Sequence, residues 1–189
     1  MKIAIVGGIG SGKSEVLKTL NDMGIATLDA DAINAELLAM PEYVERIAKL
    51  FPTVVDRGQV NRKKLSRIVF NDSLARARLN AVAHPLILER IKRDTRDPLA
   101  VEIPLLFESG AVGLFDAIVF VSTPLDKRIE RLTKSRNMSI EDALSRINSQ
   151  VDEKEYERIA TKVIVNDSSI EQLKNNTKKV FPVLLAKLS

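Results

Sequence analysis

The chain has 189 residues, 45% of them hydrophobic and only 4% aromatic, enough for one core of Ile, Leu, Val and Ala and too little for two. Cysteine is absent, which excludes disulfides, thiolate metal sites and cysteine nucleophiles, and no run approaches the roughly 20 apolar residues of a membrane span, so a soluble, cytoplasmic protein without a membrane partner is expected. The net charge of +4 suits anionic ligands; the 29 basic residues are spread among 25 acidic ones without a Lys/Arg block interleaved with aromatics, so no nucleic-acid partner is expected.

In chain order, a short apolar strand (Lys2 to Val6) leads through a Gly-rich turn into a helical pattern carrying Leu17 and Leu20. A second strand follows Gly24, at Ala26 to Leu28, and further β-rich runs stand at Leu99 to Ile103, Ala117 to Val121 and Lys162 to Val165. Each is brief and separated from the next by helix-type sequence, and no Asn-Gly or Asp-Gly hairpin signal joins any pair. Such alternation predicts an α/β fold with a five-stranded parallel sheet covered on both faces. Residues 32–96 read as helical throughout, with Leu65, Ile68 and Val69, then Leu79, Val82, Leu86 and Ile87, at helical spacing. Residues 125–160 are charged and helical, with Arg128, Arg131, Arg136 and Arg146, and read as a mobile lid. The expected core is thus 1–31, 97–124 and 161–189, with a helical subdomain at 32–96 and a lid at 125–160. The stripe Ile170, Leu173, Thr177, Val180, Phe181, Leu184 and Leu188 is read as core packing.

Gly7-Gly8-Ile9-Gly10-Ser11-Gly12-Lys13-Ser14 satisfies the phosphate-loop pattern G-x-x-x-x-G-K-[ST], with a strand before it and a helix after it. Glycines let successive N–H groups turn inward as a nest for phosphate oxygens, and the helix N-terminus adds about half a positive charge. Gly8, Gly10, Ser11, Gly12, Lys13 and Ser14 are expected to bind ATP, with Lys13 on the β- and γ-phosphates and the Ser14 hydroxyl on Mg²⁺. Asp29-Ala30-Asp31 follows the second strand, at the carboxyl edge where open parallel sheets bind ligands. One carboxylate could accept the proton of an attacking hydroxyl; alternatively both cap the helix starting near Ala32. Glu102 ends the third strand run, where an acidic residue organises magnesium's water shell, and Glu108 follows in a turn; either could instead pair with a lid arginine or cap a helix.

The phosphate loop, Asp29-Ala30-Asp31, His84-Pro85-Leu86 and Ile103-Pro104-Leu105-Leu106-Phe107-Glu108 together resemble the bacterial dephospho-coenzyme A kinase family. Arg131-Leu132, Arg136, Arg146, Gln150 and Val163-Ile164-Val165-Asn166 fit the same family in the same order, so the resemblance runs nearly end to end. It implies a P-loop kinase core and transfer of the ATP γ-phosphate to the ribose 3′-hydroxyl of dephospho-CoA. It implies Asp31 as the base, the helical insertion as holder of the CoA moiety, the Arg-bearing segment as the lid, and Asn166 near the adenine. Asp29, His84, Pro104, Leu105 and Glu108 then fall on the acceptor side. Val6, Glu15, Glu102 and Ser168 stand where Thr, Thr, Asp and Gly are usual, none of them a reacting group. Glu15 puts a negative charge in the first helical turn, so only its backbone N–H is expected on phosphate.

His84, the only histidine, has a substrate-side reading and a structural one, in which it bonds backbone to fix a helix bend at Pro85. Most lid arginines read as a solvated face. Arg136, expected just beyond its helix in a turn, is the one picked to reach phosphate on closure and stabilise the transition state. Rival readings are a nucleoside monophosphate or small-metabolite kinase, and a nucleotide-dependent switch; the latter lacks an Asn-Lys-x-Asp guanine-reading element.

Overall fold

The computed structural model describes residues 1–188. In chain order its elements are β1 (Lys2–Val6), α1 (Lys13–Asp22), β2 (Ala26–Asp29), α2 (Ala30–Leu37), α3 (Pro41–Leu50), β3 (Val55–Asp56), β4 (Gln59–Val60), α4 (Arg62–Asn71), α5 (Ser73–Arg93), β5 (Leu99–Glu102), β6 (Ala117–Ser122), α6 (Leu125–Arg136), α7 (Ile140–Asn148), α8 (Glu153–Ile159), β7 (Lys162–Val165) and α9 (Ile170–Leu188). They fall into two compact units, Met1–Leu28, Arg96–Leu106 and Val112–Ser189 in the first, Asp29–Thr95 and Phe107–Ala111 in the second.

The first unit is built on the expected five-stranded parallel sheet, in the order β2-β5-β1-β6-β7. Its central strand β1 places Ile3 between Ala100 and Ala117, and Ile5 between Glu102 and Val119. β1, β5 and β6 read as near-continuous apolar runs because both faces of a parallel sheet are covered. One face holds Ile3, Ile5, Val119 and Val121 against Val16, Leu17 and Leu20 of α1 and Leu173, Phe181 and Leu184 of α9. Phe120 stacks on Tyr156 of α8, with ring centroids 5.9 Å apart. The helices of residues 125–160 belong to this unit. Strand order reverses at β1, between β5 and β6, so the crevice at the carboxyl end of β1 is the switch point where such sheets take ligands.

The second unit is helical with one exception. Residues 32–96 are not helical throughout: β3 and β4 form an antiparallel hairpin, pairing Val55 with Val60 and Asp56 with Gln59. Its two turn residues, Arg57 and Gly58, both have positive φ (49° and 76°), the arrangement of a type I′ turn. An arginine replaces the Asn or Asp that makes such turns legible. Helix starts obey local chemistry: the Asn61 side chain accepts from Lys64 N at 3.0 Å and Asp72 from Leu74 N at 2.8 Å. α5 runs straight through Pro85, which neither starts nor ends a helix.

Candidate active site

The phosphate loop joins β1 to α1. A Cβ at Gly12 (φ 96°) would lie 2.5 Å from Asn166 Nδ2, and one at Gly8 would lie 2.5 Å from the Arg128 guanidinium carbon, so neither position admits a side chain. Five successive loop carbonyls each accept from a side chain. Lys13 Nζ donates to Gly7 O and Gly8 O at 3.0 and 3.3 Å. Arg128 Nε donates to Ile9 O at 2.9 Å, and Arg131 Nη1 to Gly10 O at 3.2 Å. Ser11 O accepts from both Thr123 Oγ1 at 3.0 Å and Asn166 Nδ2 at 2.7 Å. With its carbonyls held by side-chain donors, the loop backbone is fixed before any anion arrives, the electrostatic requirement of an anion site.

The two residues picked for metal binding meet here. Ser14 Oγ donates to Glu102 Oε2 at 3.4 Å, and Lys13 Nζ lies 3.7 Å from Glu102 Oε1. Glu102 is buried and Ser14 exposed, so the hydroxyl stands at the mouth of the crevice with the carboxylate behind it. Glu15 turns its side chain toward Lys174 of α9, at 3.1 Å, away from the nest. Asn166 is buried and its side chain is spent on protein: the amide nitrogen holds Ser11 O, and Oδ1 accepts from Arg131 Nη2 at 3.0 Å. The residue expected near the adenine thus braces the phosphate loop.

The helical segment after β6 differs from its reading as a mostly solvated face. Arg128 is only 4% exposed and bridges the loop to the α7–α8 turn, with Nη1 on Glu153 Oε1 at 2.5 Å and Nη2 on Gln150 Oε1 at 3.2 Å. Ile9 N donates to Gln150 Oε1 at 2.7 Å. Burial pushes the Arg128 pKa down and that of Glu153 up, their mutual attraction opposing both shifts. Sequence reasoning gave no role to Arg128, Gln150 or Glu153. The available signal was Arg128 and Arg131 three apart on the helix that follows a strand of the switch point. Arg136 is the last residue of α6, not part of the turn beyond it; Asn137, in the left-handed region at φ 49°, ends the helix. Its side chain is exposed and has no partner among the described residues. Pro104 O accepts from the Tyr156 hydroxyl at 3.3 Å, and Leu105 is exposed.

In the second unit, Asp29 is the N-cap of α2: its Oδ1 accepts from Asp31 N at 2.8 Å and Ala32 N at 3.4 Å. That settles capping for Asp29 alone. Asp31 sits in the first turn with its side chain exposed. His84 is half-buried inside α5, and its Nε2 has no hydrogen-bond partner, so that nitrogen does not fix a bend through backbone. Burial lowers the His84 pKa, while the charge of Glu108 pulls it back up.

A strand-loop-helix phosphate nest at the switch point of a parallel sheet, with a lysine, a hydroxyl and a buried carboxylate at its mouth, defines a P-loop phosphotransferase. The family model described as dephospho-CoA kinase matches residues 1–172. A relative named dephospho-CoA kinase, from Moorella thermoacetica, is 36% identical over 193 residues, covering 96% of this chain and 91% of that protein. Among solved structures, dephospho-CoA kinase from Campylobacter jejuni superposes with a TM-score of 0.70 at 28% identity, covering 97% of this chain and 98% of that one. A Thermus thermophilus protein does so with a TM-score of 0.82 at 35% identity, covering 100% and 98%. The chain belongs to the dephospho-CoA kinase family. Among the described residues no helix is long and apolar enough to cross a membrane.

Proposed function

We propose that this chain transfers the γ-phosphoryl group of ATP to the ribose 3′-hydroxyl of dephospho-CoA, the last step of coenzyme A synthesis, in the cytoplasm. The observation that carries the reading is the phosphate loop, whose carbonyls from Gly7 to Ser11 are all engaged while Lys13, Ser14 and Glu102 gather at its mouth. The hydroxyl and carboxylate are hard oxygen donors of the kind Mg²⁺ takes when most of its shell is water and phosphate, so these residues fit that ion. Ser14 would ligate it directly and Glu102 through water; bound with ATP, the ion neutralises phosphate charge. Lys13 exchanges its loop carbonyls for β- and γ-phosphate oxygens. The amides of the loop, including that of Glu15, orient the chain of phosphates.

Asp31 accepts the proton of the 3′-hydroxyl as that oxygen bonds to the γ-phosphorus and ADP departs. Asp29 acts through its cap, fixing the turn from which Asp31 projects. Arg136, exposed at the end of α6, meets the charge on the transferring group. His84, Glu108, Pro104 and Leu105 contact the acceptor, and Asn166 serves ATP by bracing the loop. Phosphoryl transfer through a loose transition state depends mostly on positioning and fixed charge, which is what this arrangement supplies. A coupled ADP-release assay with dephospho-CoA, a panel of adenylates and no acceptor tests the assignment. Turnover is expected with dephospho-CoA alone. Faster turnover with a nucleoside monophosphate would move the chain to another branch of P-loop kinases, and acceptor-independent release would make it a nucleotide-dependent switch.

A further inference from the structure

The Glu153 carboxylate lies against the phosphate loop. Arg128 Nη1 donates to it at 2.5 Å, and the Arg128 guanidinium itself lies against Gly8. The Ile9 amide is taken by Gln150 Oε1, which also accepts from the other arm of the Arg128 fork. One amide of the phosphate loop and both ends of one guanidinium are therefore filled by two oxygens from a single short segment, Gln150 to Glu153. An oxygen shared between a backbone N–H and an arginine N–H is also the contact a phosphate oxygen makes in a nest. The Arg128 head cannot swing away, because its Nε is tied to Ile9 O and its plane lies against Gly8. Burial raises the Glu153 pKa and lowers that of Arg128, so the pair holds its charges against a desolvation cost that the carboxylate would shed on moving into water.

We propose that Arg128 is a phosphate-binding residue whose place is kept by Glu153. An oxygen of the nucleotide's phosphates takes over Arg128 Nη1 from Glu153, and the Gln150–Glu153 turn is released from the loop. The inference rests on the phosphate-loop reading above. It makes the start of α8 a reporter of loop occupancy, because Tyr156, one turn further on, packs on Phe120 and bonds Pro104 O.

The sign of one substitution separates this role from a structural one. Glu153→Gln keeps the shape of the side chain and removes its charge, so ATP should bind roughly tenfold more tightly, the value of one charge-assisted hydrogen bond no longer in competition. Adding Arg128→Lys to it should abolish the gain. In the unsubstituted chain, ATP should speed amide hydrogen exchange across Lys154–Ile159. A brace that only supports the loop gives the opposite pattern: Glu153→Gln binds ATP equally or more weakly, and exchange in α8 is unchanged or slowed by nucleotide. That pattern, with Lys13→Ala still abolishing ATP binding, overturns the Arg128 proposal alone. Undiminished ATP binding by Lys13→Ala overturns the phosphate-loop reading beneath it.

Discussion

The two units place their polar side chains differently. In the first, the carbonyls from Gly7 to Ser11 all have side-chain donors, and the buried Arg128 and Asn166 have every arm engaged. In the second, Asp29 caps α2 and Asp31 stands exposed in its first turn, and the buried Nε2 of His84 has no partner, as the buried Ser11 Oγ has none in the first. The contrast fits the role proposed for each side. A site that stabilises a polyphosphate needs dipoles fixed before the ligand arrives, since reorganising them during reaction would forfeit the electrostatic gain. The proposed base needs only to be within hydrogen-bond reach of one hydroxyl when the acceptor is bound.

The sharpest way to break this comparison is Asp31→Ala. If the second unit contributes the base and nothing to the nucleotide, kcat falls by about 10²–10⁴-fold, or ~3–5 kcal/mol of barrier. ATP affinity, read by direct titration, should stay within about twofold, since no fixed dipole of the nest is touched. Unchanged turnover removes Asp31 from the mechanism. A matching loss of ATP affinity would mean that the acceptor side takes part in holding the phosphates.

How much of this was legible follows the same division. The phosphate loop was readable because its requirement is local: glycines where a Cβ would strike Arg128 or Asn166, and a lysine and a serine at fixed offsets. The sheet was readable because its strands are short apolar runs. Arg128 was not, because the spacing that places it beside Arg131 is identical on a solvated face, and only the α7–α8 turn, some 22 residues on, buries it. The β3–β4 hairpin escaped because Arg57-Gly58 carries one turn residue of the usual two; α5 was legible from its spacing, and only its passage through Pro85 was not, because proline ordinarily starts or bends a helix.

An intermediate effect is expected from His84. Burial holds its pKa below the ordinary 6.5, with Glu108 as an opposing charge, so folding favours the neutral ring. A depressed histidine pKa contributes stability that is full above the unfolded value and is lost as pH falls through about 6.5 toward the folded one. The urea midpoint should therefore drop more between pH 7 and pH 5.5 in the unsubstituted chain than in His84→Gln. Equal drops would show that Glu108 holds the protonated ring as well as burial opposes it, and the second unit would then be as electrostatically settled as the first.

The smallest effect tests the first unit at a carboxylate beside its nest. Glu15 places a carboxylate in the first turn of α1, beside the nest, and Lys174 of α9 meets it at 3.1 Å across a partly exposed surface. A pair of that kind contributes ~0.2–1 kcal/mol, so Lys174→Ala should change unfolding free energy by no more than that. Its consequence for ATP is a matter of distance and screening. The freed Glu15 charge repels the triphosphate only through solvent, so affinity should weaken by roughly twofold at 0.01 M salt and recover at 1 M, where the Debye length has shrunk to about 3 Å. Nucleotide titrations at those two ionic strengths read this directly. A tenfold loss that salt does not relieve would mean that Glu15, once released, folds over the helix N-terminus and occupies the amides meant for phosphate; the Lys174 contact would then be part of what keeps the cradle open.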